Sequence, residues 1–149
     1  LYIAKKVAPL IPHIPITIAG KNASQHLQQV CSRQTNIRLV NSPSQEQMRQ
    51  LIATAHIHLM ITFQGTGVKL KLINALYQGR FIIANDLMLA GTSLASACVA
   101  GDTPQKIARQ CQELMEVPFT AEDIEKRKKI LAPWDIHTLS QQLISILFA

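Results

Sequence analysis

The chain has 149 residues, 48% of them apolar and 16% charged, and its formal net charge is +6. This length predicts one domain, and the apolar content allows a buried core and excludes a disordered chain. No stretch of about 18 apolar residues is free of charge, so the sequence predicts no transmembrane helix. The chain begins at Leu1 without the pattern of a secretory leader. We therefore expect a cytoplasmic protein, and the chain as part of a longer polypeptide.

The positive charge is concentrated in the first two-thirds of the chain. Residues 1–100 hold nine Lys or Arg and only two carboxylates, Glu46 and Asp86, whereas residues 101–149 hold six bases and seven acids. This asymmetry favours an anionic partner, such as a phosphate group, a nucleic acid or an acidic membrane surface, although solubility is the simpler alternative. The scarcity of carboxylates disfavours both a hydrolase built on paired carboxylates and a site for a hard divalent cation.

Helix and strand patterns alternate through the first part of the chain. In chain order, the sequence predicts a short helix over residues 1–8, a strand over 14–19, a helix over 24–31, a strand over 37–40 and a helix over 44–55. Pro9 ends the first helix, and Gly20 ends the first strand. Ser24 is a predicted N-cap, and Ser44 with Gln47 three residues later forms a capping box.

The same alternation continues to the end of the chain. The sequence predicts a strand over 57–63, a helix over 68–78, a strand over 81–84, a short strand over 97–99, a helix that begins at 104, a charged helix from 120 and an amphipathic helix over 136–148. Thr103 caps the helix that has Pro104 at its first position. We interpret Lys126–Lys129 as a solvated helix face and Trp134 as a packing anchor.

Short strands separated by helices predict an α/β fold. We expect a doubly wound, Rossmann-like parallel sheet covered by helices on both faces, in three layers. In such a sheet, ligands lie beyond the carboxyl ends of the strands. Three predicted loops qualify as ligand sites, namely 20–22, 64–67 and 85–92.

The strongest local signal is the glycine-containing loop 64–67, which lies between a strand and a helix. Its glycines allow a ligand to approach the backbone, and the helix N-terminus offers unpaired N–H groups and a partial positive charge. Lys69 and Lys71 add full charges near the first helical turn. This combination suits a diphosphate, although the glycines of a tight turn beside solvated lysines give the same pattern.

Four segments occur in an order and a spacing that fit a known family. They are ITIAG (16–20), GTGVKLKLINAL (65–76), GRFIIA (79–84) and GTSL (91–94). With these motifs, the chain resembles the C-terminal, nucleotide-sugar-binding domain of retaining glycosyltransferases of the GT-B fold, of the group 1 or family 4 type. The charged helix with Arg127, followed by Trp134 and the closing helix, is similar to the tail of that domain.

The resemblance implies that the intact protein transfers a sugar from a nucleotide diphosphate donor to a glycan, lipid-linked or other hydroxyl acceptor. It implies that Lys71 is the catalytic residue, which with the loop N–H groups stabilises the departing diphosphate without a metal or a cofactor. The residues implied for donor binding are Gly20, Lys21, Gln64, Gly65, Thr66, Gly67, Lys69, Asn74, Gly91 and Thr92. Residues 1–149 are then a single donor-binding domain, and a separate N-terminal domain holds the acceptor.

The chain also departs from the family pattern. Many members carry two glutamates, separated by seven residues, where this chain has Thr66 and Asn74. Asn74 shares a helix face with Lys71 and Gln78 and can still hydrogen-bond a hydroxyl. The alternative function is therefore a non-catalytic module that binds a nucleotide or a phosphorylated ligand. The family's domain normally begins with a central strand upstream of the helix that starts here at Leu1, and we expect its absence to leave a gap in the sheet.

Other candidate sites and partners carry less weight. His56-x-His58 has the spacing of two ligands of one metal ion, which would need a third ligand from elsewhere in the chain. The alternative is that the pair lies at the more solvent-exposed end of a strand. Asp86 follows a strand end and binds a hydroxyl or forms a turn after Asn85. The three cysteines show no C-x-x-C spacing, which suits buried thiols in a reducing compartment. Few aromatic residues and no basic stripe along a helix disfavour nucleic acid as a partner. The positive charge leaves a peripheral membrane association of the intact protein open.

Overall fold

The computed structural model of the chain describes residues 1–65 and 69–135. Within them, strands and helices alternate as the sequence predicts. The strands are β1 (Ile16–Gly20), β2 (Ile37–Asn41), β3 (Ile57–Met60), β4 (Phe81–Ala84) and β5 (Val99–Ala100). The helices are α1 (Gln25–Ser32), α2 (Gln45–Thr54), α3 (Leu70–Gln78), α4 (Asp86–Leu89), α5 (Pro104–Met115) and α6 (Ala121–Leu131). The predicted helix over 136–148 lies outside the described residues.

The strands form two parallel sheets. β1 pairs with β2, with Ile16 opposite Ile37. β3, β4 and β5 form the other sheet in that order, with Ile57 opposite Phe81 and Ile83 opposite Val99. This confirms the α/β fold with parallel strands, and the division into two sheets agrees with the gap expected from the family resemblance.

Helices cover both faces of the three-stranded sheet. Successive side chains of a strand point to opposite faces, so neighbouring residues of β4 enter different buried clusters. Ile82 and Ala84 of β4 belong to one buried cluster with residues of α3, α4 and α6. Ile83 belongs to a second cluster with α5 and the first 14 residues of the chain. The layers lie as predicted, with the sheet between helices.

The N-terminal segment is helical, but its type differs from the prediction. Residues Ile3–Val7 form a π-helical turn, and Ala8–Leu10 form a 3-10 turn. Pro9 has no backbone N–H, so a regular α-helix cannot continue through it. The side-chain amide of Asn36 instead holds the segment that follows, donating to the backbone carbonyls of Ala8, Ile11 and Ile14 at 3.2, 2.9 and 3.2 Å.

The predicted boundaries fail mainly at the carboxyl ends of the strands. β3 ends at Met60 rather than at residue 63, because Thr62 turns away and bonds to the side chain of Asn85. The predicted strand over 97–99 is displaced to Val99–Ala100 and is preceded by a 3-10 turn. α4 was not predicted at all. None of the described helices is long and apolar enough to cross a membrane.

Candidate functional site

The strongest predicted site lies where β3 ends and α3 begins. Gln64 and Gly65 are exposed after the end of β3. The backbone N–H of Gln64 donates to the hydroxyl of Thr62 at 3.2 Å, and that hydroxyl donates to the Gln64 carbonyl at 3.3 Å. The predicted donor-binding residues Thr66 and Gly67 lie outside the described residues, as does Val68.

The two predicted lysines of the site differ in their surroundings. Lys69 is the residue just before α3, so the helix begins two residues later than predicted. Its ammonium group donates to the backbone carbonyl of Gln64 at 3.3 Å. Lys71 lies in the first turn of α3 with an exposed side chain. Lys71 is therefore placed to meet a ligand from solvent.

The N-terminus of α3 differs from those of the other helices in the described residues. A side-chain oxygen caps each of the others, and the capping residues are Ser24, Ser44, Asn85, Thr103 and Thr120. Within residues 1–65 and 69–135, no side chain caps α3, and its first turn holds no acidic residue. The first N–H groups of a helix need acceptors, and an anion can supply them.

One face of α3 is exposed and the other is buried, as its sequence predicts. Asn74 and Gln78 are exposed, as is Lys71. On the opposite face, three side chains are buried against the sheet, namely Leu72, Ala75 and Leu76. Asn74 is therefore available to a ligand that binds near Lys71.

Gly20 and Lys21, also predicted to bind the donor, lie at the end of β1 in the two-stranded sheet. The carbonyl of Gly20 accepts from the N–H of Ser42 at 2.7 Å. Asn22, with φ of 54°, follows in a turn whose next residue, Ala23, donates to the Asn41 side chain at 3.0 Å. These bonds tie the Gly20 turn to the end of β2, whereas Gln64 and Gly65 follow β3 of the other sheet and Lys71 lies on α3.

Gly91 and Thr92 lie in the turn after α4. Gly91 has φ of +74°, which a residue with a side chain rarely adopts. The Thr92 hydroxyl donates to the Leu89 carbonyl at 2.8 Å and accepts from the N–H of Leu94 at 3.3 Å. Both residues therefore shape this turn.

Sequence reasoning missed the structural role of Asn85 at the same edge of the sheet. Its side chain is buried, with 9% of the residue exposed, and it caps α4 and bonds to Thr62. The signal that indicates the cap is local: an asparagine after a strand, followed by Asp86 in the first turn. Nothing local indicates the bonds to Thr62.

The two histidines of the His56-x-His58 pattern have separate roles. The Nε2–H of His56 donates to the backbone carbonyls of Leu114 and Val117 at 2.9 and 3.1 Å, at the C-terminal end of α5. His58 lies within β3 and is 8% exposed, and its Nε2 has no hydrogen-bond partner in the part of the chain that the structure describes. No group of three or more His, Cys, Asp or Glu that fits a metal ion occurs in residues 1–65 and 69–135.

His58 is expected to make the fold less stable in mild acid. Burial lowers its pKa below the usual 6.5, as the Arg127 charge does to a smaller extent, while a hydrogen bond to the Ile52 backbone opposes the shift. The unfolded chain then binds a proton more readily, so the free energy of unfolding decreases as the pH falls below about 6.5, by at most ~1.4 kcal/mol per pH unit. Urea unfolding of the wild type and of His58→Leu between pH 7.5 and 5.0 measures this effect. Equal pH dependence in both proteins contradicts the prediction.

The cysteine thiols are poor candidates for a nucleophile. All three are free, and Cys31 and Cys111 are buried. Burial raises the pKa of the Cys98 and Cys111 thiols to about 11, so both remain protonated at neutral pH. The interpretation of the cysteines as buried thiols is confirmed for Cys31 and Cys111, whereas Cys98 is only partly buried.

Arg127, predicted to lie on a solvated helix face, is buried, so that part of the prediction is wrong. Only 9% of it is exposed, and its guanidinium donates to the backbone carbonyls of Leu76, Gly79 and Arg80, at the C-terminal end of α3. The guanidinium carbon lies 4.7 Å from the ring centroid of Phe119. Arg127 therefore joins α6 to the end of α3 opposite the candidate site.

A cavity of about 550 Å³ lies beside this end of α3. Most of its wall is apolar and comes from the C-terminal end of α3, from Phe119 and from α6, with Ala53 of α2 on one side. It contains none of the residues predicted to bind the donor. The candidate donor site is therefore the open edge formed by Gln64, Gly65 and the first turn of α3, and not this cavity.

Comparison with known proteins places the chain in a family. A sequence profile described as glycosyl transferases group 1 matches residues 1–117, which run from the N-terminal turns through α5. Among curated proteins, no sequence matches the chain. The matched residues include the end of β3, the first turn of α3 and the turn after α4. The chain therefore belongs to the glycosyl transferases group 1 family.

Proposed function

We propose that this chain is the donor-binding domain of a retaining glycosyltransferase and that it binds a nucleotide diphosphate sugar at the N-terminus of α3. The observation that carries the proposal is the first turn of α3, which holds Lys71 and no acidic residue and which no described side chain caps. In a glycosyltransferase, the donor's diphosphate is the anion that such a site suits. In this proposal the acceptor, a glycan or a lipid-linked hydroxyl, is held by a separate domain, and the protein works in the cytoplasm.

Lys71 and the first N–H groups of α3 contribute to catalysis at the leaving group. As the bond from the sugar to the diphosphate breaks, negative charge grows on the departing phosphate oxygens. A fixed positive charge and oriented N–H dipoles stabilise that charge more in the transition state than in the bound substrate. Asn74, which is exposed on the face of α3 that carries Lys71, is proposed to hydrogen-bond a hydroxyl of the donor.

A second function, nucleotide binding without sugar transfer, rests on the absence of a carboxylate at Asn74. An asparagine can hydrogen-bond a hydroxyl, but it supplies neither a negative charge nor a base. The two functions predict the same affinity for a nucleoside diphosphate. They differ in whether the intact protein transfers the sugar from a nucleotide sugar that it binds.

The Lys71→Ala variant is expected to bind diphosphate more weakly than the wild type, by about tenfold in dissociation constant, because a charge-assisted contact is lost. Isothermal titration with inorganic diphosphate and with a panel of nucleoside diphosphates measures the difference. The effect should decrease with added salt, because Lys71 is exposed and its charge is screened.

Lys129→Ala is the matched control, because Lys129 is also an exposed lysine but lies on α6. It should bind diphosphate as the wild type does. A wild type that binds neither inorganic diphosphate nor any nucleoside diphosphate contradicts the proposed function. Equal affinity in Lys71→Ala and the wild type contradicts the role of Lys71.

A further inference from the structure

We infer that Asn85 is a positioning residue of the donor site, because its side chain fixes where the chain leaves β3 and where Gln64 and Gly65 lie. This inference rests on the proposed function for its effect on ligand binding. Asn85 contacts Thr62, and its proposed effect on the ligand is exerted only through the segment that follows Thr62. Three sets of contacts carry it.

The first set joins Asn85 to Thr62. The side-chain oxygen of Asn85 accepts from the backbone N–H of Thr62 at 3.1 Å, and its side-chain nitrogen donates to the backbone carbonyl of Thr62 at 2.7 Å. Met60 and Ala84 are the last paired residues of β3 and β4. The Asn85 amide thus takes the place of a neighbouring strand just beyond that pair and satisfies both backbone groups of Thr62.

The second set continues from Thr62 into the candidate site. The Thr62 hydroxyl exchanges hydrogen bonds with the backbone of Gln64, and the Gln64 carbonyl also accepts from the Lys69 ammonium group. A displacement of Thr62 therefore moves Gln64 and one of the two lysines of the site. The donor–acceptor distances in this series are 3.2–3.3 Å.

The third set passes through α4. The side-chain oxygen of Asn85 also accepts from the N–H of Met88 at 3.3 Å, which caps α4. α4 carries Leu87, which lies near Gly65, since a Cβ built on Gly65 would fall 3.7 Å from its Cδ2. Asn85 therefore fixes both the backbone of Thr62 and the start of the helix that carries Leu87.

The Asn85 side chain is suited to this role because it combines an acceptor with a donor. A carboxylate of the same shape can accept from Thr62 and Met88, but it has no hydrogen to donate to the Thr62 carbonyl. A serine hydroxyl can cap α4 but is too short to span to Thr62. The role therefore requires the amide and not simply a residue that caps helices.

The test uses Asn85→Asp, with Ser24→Ala as the matched control. Ser24 caps α1 in the same way, through the N–H of Leu27 at 3.2 Å, and α1 lies outside the candidate site. Both variants are expected to lower Tm by a few degrees. Asn85→Asp is expected to raise the dissociation constant for inorganic diphosphate about tenfold, whereas Ser24→Ala should leave it unchanged.

The pH profile tests whether binding requires the bond donated to the Thr62 carbonyl. Burial beside that carbonyl favours the protonated form of the introduced carboxyl, which again donates to it, so the ratio of the two dissociation constants, Asn85→Asp over wild type, should decrease from pH 8 to pH 5. The nearby charges are those of Asp86, Asp102 and Lys106, and the Asp102 carboxylate accepts from the Asp86 N–H and pairs with Lys106. These groups are common to both proteins, as is the ionisation of the diphosphate.

Unchanged diphosphate affinity in Asn85→Asp overturns the inference, and so does equal weakening in Ser24→Ala. If the wild type does not bind diphosphate, the proposed function fails, and the inference is judged by amide hydrogen exchange alone. Exchange at Thr62 and Gln64 should then rise about tenfold in Asn85→Ser, but not in Ser24→Ala. Unchanged exchange in Asn85→Ser overturns the inference. Asn85→Ser also replaces Asn85→Asp in the affinity measurement if the latter does not fold.

Discussion

The Arg127→Ala variant is expected to lose about 3–5 kcal/mol of the free energy of unfolding, because three backbone carbonyls lose the charged guanidinium that donates to them. The guanidinium donates to Gly79 at 2.7 Å and to Leu76 at 3.3 Å, and it also bonds to Arg80. Without it, the carbonyls of Leu76, Gly79 and Arg80 lack these donors in a partly buried region, and Phe119 loses its cation–π contact. Urea unfolding at 25 °C measures the loss, which corresponds to a Tm decrease of about 10 °C.

Two variants control this measurement. Lys128→Ala removes the neighbouring charge, which pairs with Glu125 at 2.7 Å on the exposed face of α6, and it should change stability by less than about 0.5 kcal/mol. Arg127→Lys keeps the charge but has no planar fork of donors, so it should fall between the wild type and Arg127→Ala. A loss of less than about 1 kcal/mol in Arg127→Ala contradicts the role assigned to Arg127.

The Gly79→Ala variant is expected to lose about 3 kcal/mol, because there is no room for a Cβ at this position. An added Cβ would lie 2.4 Å from Nε2 of His58 and 2.7 Å from the Ala75 carbonyl oxygen. The backbone at Gly79 has φ of −93°, which other residues adopt, so the loss comes from steric overlap and not from the backbone conformation. Chemical unfolding of Gly79→Ala beside the wild type measures it.

Gly20→Ala is the matched control, because a Cβ added at Gly20 would meet no atom within 4 Å. Its stability should stay within about 0.5 kcal/mol of the wild type. A double-mutant cycle identifies the source of the overlap. In a His58→Ala background, the loss caused by Gly79→Ala should be about 1 kcal/mol smaller, because the ring no longer blocks the added methyl group. An unchanged loss in that background would show that the ring of His58 is not the obstacle.

Arg127, Gly79 and His58 surround the C-terminal end of α3, whereas the candidate donor site lies at its N-terminal end. The variants at these two ends are therefore expected to separate stability from binding. Arg127→Ala and Gly79→Ala should change unfolding, and Lys71→Ala, with an exposed side chain, should change diphosphate affinity while leaving the fold intact.

Elements with local signals were predictable from the sequence. Ser24, Ser44 and Thr103 each accept a hydrogen bond from a backbone N–H three residues later, and the sequence predicts each of these caps. The exposed face of α3 follows from the spacing of Lys71 and Asn74. The family resemblance carried the group 1 assignment, which the profile match over residues 1–117 confirms.

Features that depend on distant residues were not predictable. Asn85 and Thr62 are 23 residues apart, and Arg127 is 51 residues from Leu76. A buried arginine and an exposed one look alike in a helix that also contains exposed lysines. The end of β3 was misplaced for the same reason, since the apolar run continues through Ile61 while the hydrogen bonds of Thr62 go to the Asn85 side chain.

For this protein, the sequence alone determined the α/β alternation, most of the helix starts, the glycosyltransferase family and the lysines proposed to meet a diphosphate. These depend on hydrophobic spacing, capping residues and motif order, all of which act over a few residues. Only the tertiary structure decided that Arg127 is buried and that Asn85 bonds to Thr62 while it caps α4. Both features depend on which buried backbone groups lack a partner after folding, and a side chain far along the chain supplies that partner.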